Sequence, residues 1–442
     1  MKWMGWTGLT LITLLHLGCG NGNGNGSSES GAGGSGGSGS GTGAGSSSSG
    51  TAGSGGTGGM GSGGGNVADL CAGLVNDKEA HPMTALPKPA LLQEVVDPEF
   101  GTKIRRITDV GSGIIKPLYS PTQAWNADET LLLLYKVGAG HKLYDGKTYA
   151  FLKDLDIHPP DLEQVYWSTT EPDVFFYIDG NKLIRYHVST DEKEVLHTLD
   201  NCPGQVTADS HGWISWDANY LGLQCQGTGE SFIYRLDTGT ITGTTKETPD
   251  FGPPRIGATG KLALWDVNVV DQEMKVVRKL DLSVVEHSCL GRTADGHDTF
   301  NSVVFDPGPQ GSGVGTLVTH DMTDGTSRVI IGPDTGYPYP PTGTHLSAEI
   351  YKNPGWVFLS IVGDTSGKGL LDQELLLVDT NPGGKACRIA HHRSWGKEGP
   401  NDYWGEPHVT GSPSGTRAVF ASDWGGGATV DTYVVELPAH SN

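Results

Sequence analysis

Thr102-Lys103-Ile104-Arg105-Arg106-Ile107-Thr108 reads as the last strand of a sheet unit, yet no unit precedes it. The far end of the chain has the opposite defect. Its final repeat offers three strands, Glu406–Gly411, Arg417–Trp424 and Thr432–Leu437, one short of a four-stranded unit. Placing the early strand fourth in the last unit completes both and leaves no exposed edge between the termini.

The stretch between them repeats. Short apolar runs recur at Leu131–Tyr135, Val174–Ile178, Tyr220–Cys225, Leu262–Trp265, Gly315–Thr319, Trp356–Val362 and Ala418–Ala421. Each is β-branched or aromatic in character and bounded by Gly, Asp, Asn or Pro, the pattern of strands buried on both faces. Second strands end in turns such as Asp237-Thr238-Gly239 and Asp379-Thr380-Asn381, whose side chains bond locally and tolerate left-handed backbone. First strands near Tyr119, Tyr166, Val206, Arg255, His297, His345 and His408 give spacings of 47, 40, 49, 42, 48 and 63. A period of 40–50 residues with three or four strands per unit is the sign of an all-β, seven-bladed β-propeller. We assign it residues 99–442, with the ring closed by the N-terminal strand. A tandem of β-sandwiches explains the strands but not the leftover one. Residues 67–98 form a lead-in over one face, with a short helix expected at Ala90–Val96.

At roughly 150 residues per domain, 442 residues suggest about three domains. Composition reduces that to one. Of 68 glycines, 23 fall between Gly20 and Asn66, where Glu29 is the sole charged residue. Such a stretch buries too little apolar area to fold, and residues 19–66 read as a flexible tether. Ahead of it, one Lys and an apolar run to Leu15 form a signal peptide over residues 1–18. Cys19, straight after Gly18, resembles the lipidated cysteine of the bacterial lipobox, and Gly20 rather than Asp favours the outer membrane or cell surface. An ordinary signal peptide cut nearby, giving a secreted protein, is the alternative. Five further cysteines, Cys71, Cys202, Cys225, Cys289 and Cys387, leave at least one thiol unpaired. Cys202 with Cys225 is the first pairing to expect.

The net charge of −20 argues against nucleic acid and against an anionic membrane face, leaving the lipid anchor as the membrane contact. An acidic ligand would have to meet a local basic pocket. The body reads as a monomer. No Walker loop or dinucleotide fingerprint is present. The Gly-x-Ser-x-Gly at Gly33–Gly37 lies in the tether, outside any strand-turn-helix context.

Three histidines stand at matching points of consecutive repeats: His297, His345 and His408. First strands line a propeller's channel, so pseudo-symmetry would bring the three imidazoles to one depth. With Glu406 adding an oxygen they form a metal site of mixed donors. The alternative is a structural histidine at each blade start.

The seven repeats, the export signal and the channel histidines resemble the propeller polysaccharide lyases, in particular the oligogalacturonate lyase family. Glu406-Pro407-His408-Val409-Thr410-Gly411-Ser412-Pro413-Ser414-Gly415-Thr416-Arg417 also resembles TolB-type propeller repeats. The lyase resemblance implies a divalent cation, manganese or calcium, and an acidic polysaccharide or oligosaccharide as substrate. The chemistry it implies is β-elimination from a uronic acid. Arg255 is then the carboxylate clamp, His211 the base, and Trp213, Tyr337, Tyr339, Tyr403 and Trp404 stacking platforms for sugar rings. Glu406 stands where that family has an amide side chain. The TolB resemblance implies instead a non-catalytic propeller that binds a protein or glycan at the envelope.

Overall fold

The structure is a computed structural model that describes residues 69–209, 211–246, 252–283, 287–338 and 344–441. Cys19, the tether and Tyr339 lie outside the described residues.

Two strands come before the first blade, β1 (Glu94–Val96) and β2 (Lys103–Arg106). Blade one holds β3 (Ile115–Lys116), β4 (Leu131–Lys136), β5 (Gly140–Asp145) and β6 (Phe151–Asp154). Blade two holds β7 (Val165–Trp167), β8 (Val174–Asp179), β9 (Lys182–His187) and β10 (Glu192–Thr198). Blade three runs from β11 (Val206–Ala208) through β12 (Tyr220–Cys225) and β13 (Ser231–Arg235) to β14 (Thr240–Thr245). Blade four comprises β15 (Arg255–Ile256), β16 (Leu262–Trp265), β17 (Asn268–Asp271) and β18 (Val276–Lys279). Blade five is β19 (Ser288–Arg292), β20 (Asp298–Val304), β21 (Gly315–Asp321) and β22 (Ser327–Ile331). Blade six is β23 (His345–Ser347), β24 (Trp356–Ile361), β25 (Glu374–Asp379) and β26 (Ala386–His391). Blade seven takes β27 (Thr410–Gly411), β28 (Arg417–Ser422) and β29 (Asp431–Glu436), with β2 paired antiparallel to β29 and β1 to β2. The result is an all-β ring of seven antiparallel sheets, a β-propeller.

The core lies between blades. Among the described residues one apolar cluster fills each junction of consecutive blades, from blades one and two round to seven and one. Each sheet is therefore buried on both faces, which is why the second strands, β20 in blade five excepted, read as apolar runs. The seam between blades seven and one carries a buried ion pair. Arg417 on β28 meets Glu129 at 2.8 Å, donates to the Gly146 carbonyl at 2.6 Å, and lies over the Trp125 ring.

The lead-in differs from expectation. The helix expected at Ala90–Val96 is a turn with Leu92 in the left-handed region, followed by β1. The β-branched pair Val95-Val96 extends naturally as a fifth strand of blade seven, where β2 offers it an open edge. Upstream, the lead-in is stapled to blade six. Cys71 is disulfide-bonded to Cys387, and buried Arg388 is held by Glu374 at 2.6 and 2.5 Å with Asp77 at 3.3 Å. The Cys202–Cys225 pairing forms inside the ring, and Cys289 is a buried free thiol.

Burial by itself would raise the Glu129 carboxyl, but bonds from Arg417 and Ser414 hold it below its ordinary value of 4.5. Its contribution to stability is thus complete above about pH 4.5 and fades as pH falls through the depressed value. Arg417→Met leaves a buried carboxylate without its partner and should cost about 3–5 kcal/mol at pH 7 in urea unfolding followed by Trp fluorescence. The gap from wild type should narrow below pH 4. A loss under about 1 kcal/mol at neutral pH would show that the seam is held by other contacts.

Candidate active site

The inner strands of blades five, six and seven start at one end of the channel, and a histidine stands at each start. His287 precedes β19, His345 opens β23, and His408 comes two residues before β27. The His345 and His408 rings are 4.2 Å apart, and His287 stacks on His345 at 4.5 Å. Glu406 reaches the pair, its carboxylate 3.5 Å from His345 Nε2 and 3.8 Å from His408 Nε2. His408 is held at φ 44°, a left-handed conformation that a non-glycine residue adopts at some cost, as functional positions often do. Pro407 before it accepts from the Ala421 amide and ties this turn to blade seven.

Two irregular inner strands complete the site. In blade one, Lys116 pairs with Tyr135 and Trp125 with Leu132, so nine steps on the inner strand match three on β4. In blade three, Ala208 pairs with Leu223 and Ile214 with Leu221, six steps against two. The excess chain leaves the ladder, as an extended bulge does, and re-aims its side chains. The first excursion carries Tyr119 and the second carries Asp209 and His211. Tyr119 sits edge-on to three imidazoles at once, 5.1 Å from His211, 5.4 Å from His345 and 5.3 Å from His408.

His211 Nδ1 is 2.8 Å from Asp209 Oδ1, and Arg255 Nε is 3.0 Å from Asp209 Oδ2. Arg255 also donates to Ser288 Oγ at 3.0 Å, which joins blade four to blade five beside His287. Lys116 is buried, with its ammonium 3.4 Å from the Trp404 and Glu406 carbonyls and over the Tyr403 and Trp404 rings.

Desolvation governs the charge states here. Burial pushes Lys116 down to about 7, partly offset by Glu406 and Glu163. Burial also holds His345 and His408 well below the ordinary histidine value, helped by His287 and Lys116. Both imidazoles are therefore neutral at pH 7, the form that binds metals. The Glu406 carboxyl is raised by burial, against the pull of Lys397 and Lys116. His211 is lowered by burial and then by Arg255, while Asp209 is depressed because Arg255 and His211 overcome its desolvation.

The donor set fits a divalent cation. Both ring nitrogens of His345 and Nε2 of His408 are buried without a hydrogen-bond partner, a costly arrangement for polar atoms unless something else meets them. Together with a Glu406 oxygen they offer ligand atoms within 4.8 Å of one another. Two imidazoles and a carboxylate suit a first-row transition ion better than calcium, which takes oxygen donors.

His345, His408, Glu406, His211, Arg255, Tyr403 and Trp404 thus stand in one neighbourhood, linked through Tyr119 and Lys116. His297 does not. It lies in the turn between β19 and β20, at the opposite end of that hairpin from His287, and bonds Asp321 at 2.7 Å. Asp324 joins them in a separate, more exposed group. The correction has a physical origin. β20 is fully buried but polar, Asp-Thr-Phe-Asn-Ser-Val-Val, so no apolar run marks it. The apolar run at Gly315–Thr319 is the third strand of blade five, not the second. Its predecessor is also short, with only 33 residues from Arg255 to Ser288. The even spacing of 42 was an accident, and the matching histidine is His287.

Trp213 and Tyr337 are corrections too. Trp213 is packed between blades two and three against Tyr166, and Tyr337 between blades five and six, with Lys78 over its ring. Neither presents a ring face to a sugar. Tyr403, 37 % exposed, and half-buried Trp404 keep that capacity at the site's rim. Sequence reasoning also passed over Lys116, Tyr119 and Asp209. Only Asp209, two residues before His211, carried a local sign of a histidine partner.

No protein-family model matches the chain, and no curated protein matches it. Solved structures do. An oligogalacturonate lyase in complex with manganese aligns over 80 % of this chain and 99 % of its own, at 16 % identity and a TM-score of 0.56. An oligogalacturonate lyase from Vibrio parahaemolyticus aligns over 81 % and 99 %, at 14 % identity and the same TM-score. At such identities the likeness is one of fold: both structures align, over nearly their full length, with this chain's seven-bladed propeller.

Proposed function

We propose that the chain is a lyase that cleaves uronate-containing, acidic oligo- or polysaccharide by β-elimination, with a divalent cation at His345, His408 and Glu406. The observation that carries this reading is the pairing of unpartnered neutral imidazoles with a local cationic cluster in an otherwise acidic protein. Lys116, Arg255 and exposed Lys397 gather around one site although the net charge is −20. An anionic sugar has a reason to bind there. The likeness in fold to oligogalacturonate lyases supports the same substrate class.

In this reading Arg255 orients the uronate carboxylate, matching its two oxygens with a planar fork. When bound, the cation neutralises that carboxylate and makes the adjacent C5 proton more acidic. His211 Nε2 takes the C5 proton. The C5 electron pair forms the C4=C5 double bond as the C4–O4 bond breaks, and Lys116, whose ammonium burial makes a readier acid, supplies a proton to O4. Tyr403 and Trp404 hold a neighbouring sugar ring at the rim. The transition-ion chemistry of the donors favours manganese over calcium.

The unsaturated uronide absorbs near 235 nm. Purified protein supplied with manganese should raise that absorbance on oligogalacturonate or polygalacturonate, with alginate, ulvan and glucuronan as comparison substrates. Arg255→Lys keeps the charge but loses the fork and should lower kcat/KM at least about tenfold. A flat trace on every substrate would sink the elimination reading in favour of a binding propeller.

Metal binding is separable. Titration of manganese followed by its electron paramagnetic resonance signal should give one tight site per chain. His345→Ala and His408→Ala should weaken it by about 100-fold or more, since they remove ligands rather than their supports, and His297→Ala should leave it unchanged. Equal loss from His297→Ala would contradict the assignment.

We also propose that Cys19 is lipidated and that the Gly/Ser tether holds the propeller off the outer membrane. A tether of this composition and length reaches on the order of 35–40 Å. Cys19→Ser should move the protein from the membrane pellet to the soluble fraction. Retention in the pellet would point to another anchor.

A further inference from the structure

We propose that Asp209 is a positioning residue that sets the tautomer of His211 and aligns Arg255 through a single carboxylate. The inference rests on the elimination reading for its kinetic part and on geometry alone for the rest.

Asp209 begins the excursion in the inner strand of blade three, and its two oxygens are divided between two neighbours. Oδ1 is 2.8 Å from His211 Nδ1 and also accepts from the His211 backbone amide at 2.7 Å. Oδ2 receives Arg255 Nε at 3.0 Å. A carboxylate beside Arg255 is ionised and only accepts, so His211 Nδ1 carries the proton and Nε2 is left with its lone pair. That is the tautomer a base at Nε2 requires. The second bond, from the His211 amide, fixes the turn itself, and rotation of the ring away would give up the Nδ1 contact.

Charge balance adds a reason for a carboxylate at this place. Arg255 disfavours a charged His211, and the imidazole is buried. Accepting the C5 proton would create an imidazolium beside a guanidinium. Asp209 lies between them and offsets the new charge as it forms, which lowers the barrier to the transfer without taking the proton itself. Arg255 reaches onward to Ser288 at 3.0 Å, so the same carboxylate ties blade three to blades four and five next to His287. An Asn at 209 would keep the size and lose this effect, because its amide nitrogen can donate to His211 Nδ1 and favour the other tautomer.

The test uses the full-length protein labelled with ¹⁵N-histidine, with the His211 resonances assigned by comparison with His211→Ala. Wild type should show His211 protonated at Nδ1 at neutral pH, and Asp209→Asn should shift it toward the Nε2–H form. A wild-type His211 in the Nε2–H form would overturn the proposal with no variant needed. In the 235 nm assay Asp209→Asn should lower kcat by roughly 10²- to 10⁴-fold, with KM raised as Arg255 loses its alignment, and on a His211→Ala background it should lower kcat further by no more than about threefold, since groups acting as a unit are non-additive. Full, independent losses from the two substitutions would overturn it as well. If wild type forms no unsaturated product, the elimination reading fails, while the spectra still decide whether Asp209 orients the imidazole.

Discussion

The antiparallel pairing of β2 with β29 is the constraint on which the rest depends. It joins strands more than 300 residues apart in sequence and gives blade seven its fourth strand. Without it β29 would be an unpaired edge, and the apolar cluster between blades seven and one would lose Ile107 from the segment that follows β2. Glu129 and Arg417 meet across the same seam, and Thr108 bonds back to Thr432 and Asp431. The inner strands of blades six, seven and one then face one another around the channel, and the histidines have a common place to meet.

The site exists at the expense of ordinary solvation. Buried imidazoles, a buried lysine and a buried glutamate each resist charging, and together they sit where water would otherwise satisfy them. Their arrangement compensates unevenly. Asp209 is well matched by Arg255 and His211, whereas His345 and His408 have buried ring nitrogens that make no hydrogen bond and only approach the Glu406 carboxylate. The first group reads as preorganised protein machinery and the second as a place prepared for something that arrives from outside.

Much of this was legible beforehand. The seven-unit repeat, the strand character of its members and the Cys202–Cys225 bridge followed from turn chemistry, apolar runs and spacing. His345 and His408 stand together because each is at the start of the inner strand of its own blade, a position that was readable from the apolar run following it. His297 was chosen in place of His287 because a buried strand can be polar when its groups bond one another, as Asn301 does with Thr319 at 2.8 Å. Hydrophobic patterning cannot register such a strand, and the repeat count slid by one strand within blade five. The aromatic residues divided for a similar reason. Trp213 and Tyr403 have the same capacity to stack on a sugar, and burial by neighbours distant in sequence decides which can use it.

The sequence by itself determined the number of blades, the strands that build most of them and the acidic character of the surface. Those properties are local or additive: a run of β-branched residues, a turn with Asp and Gly, a sum of charges. Only the tertiary structure decided which histidines converge, that Tyr119 and His211 enter the channel, and that Lys116 loses its water. Those outcomes depend on strand excursions and on burial, and both are set by contacts between blades, which no single stretch of chain contains.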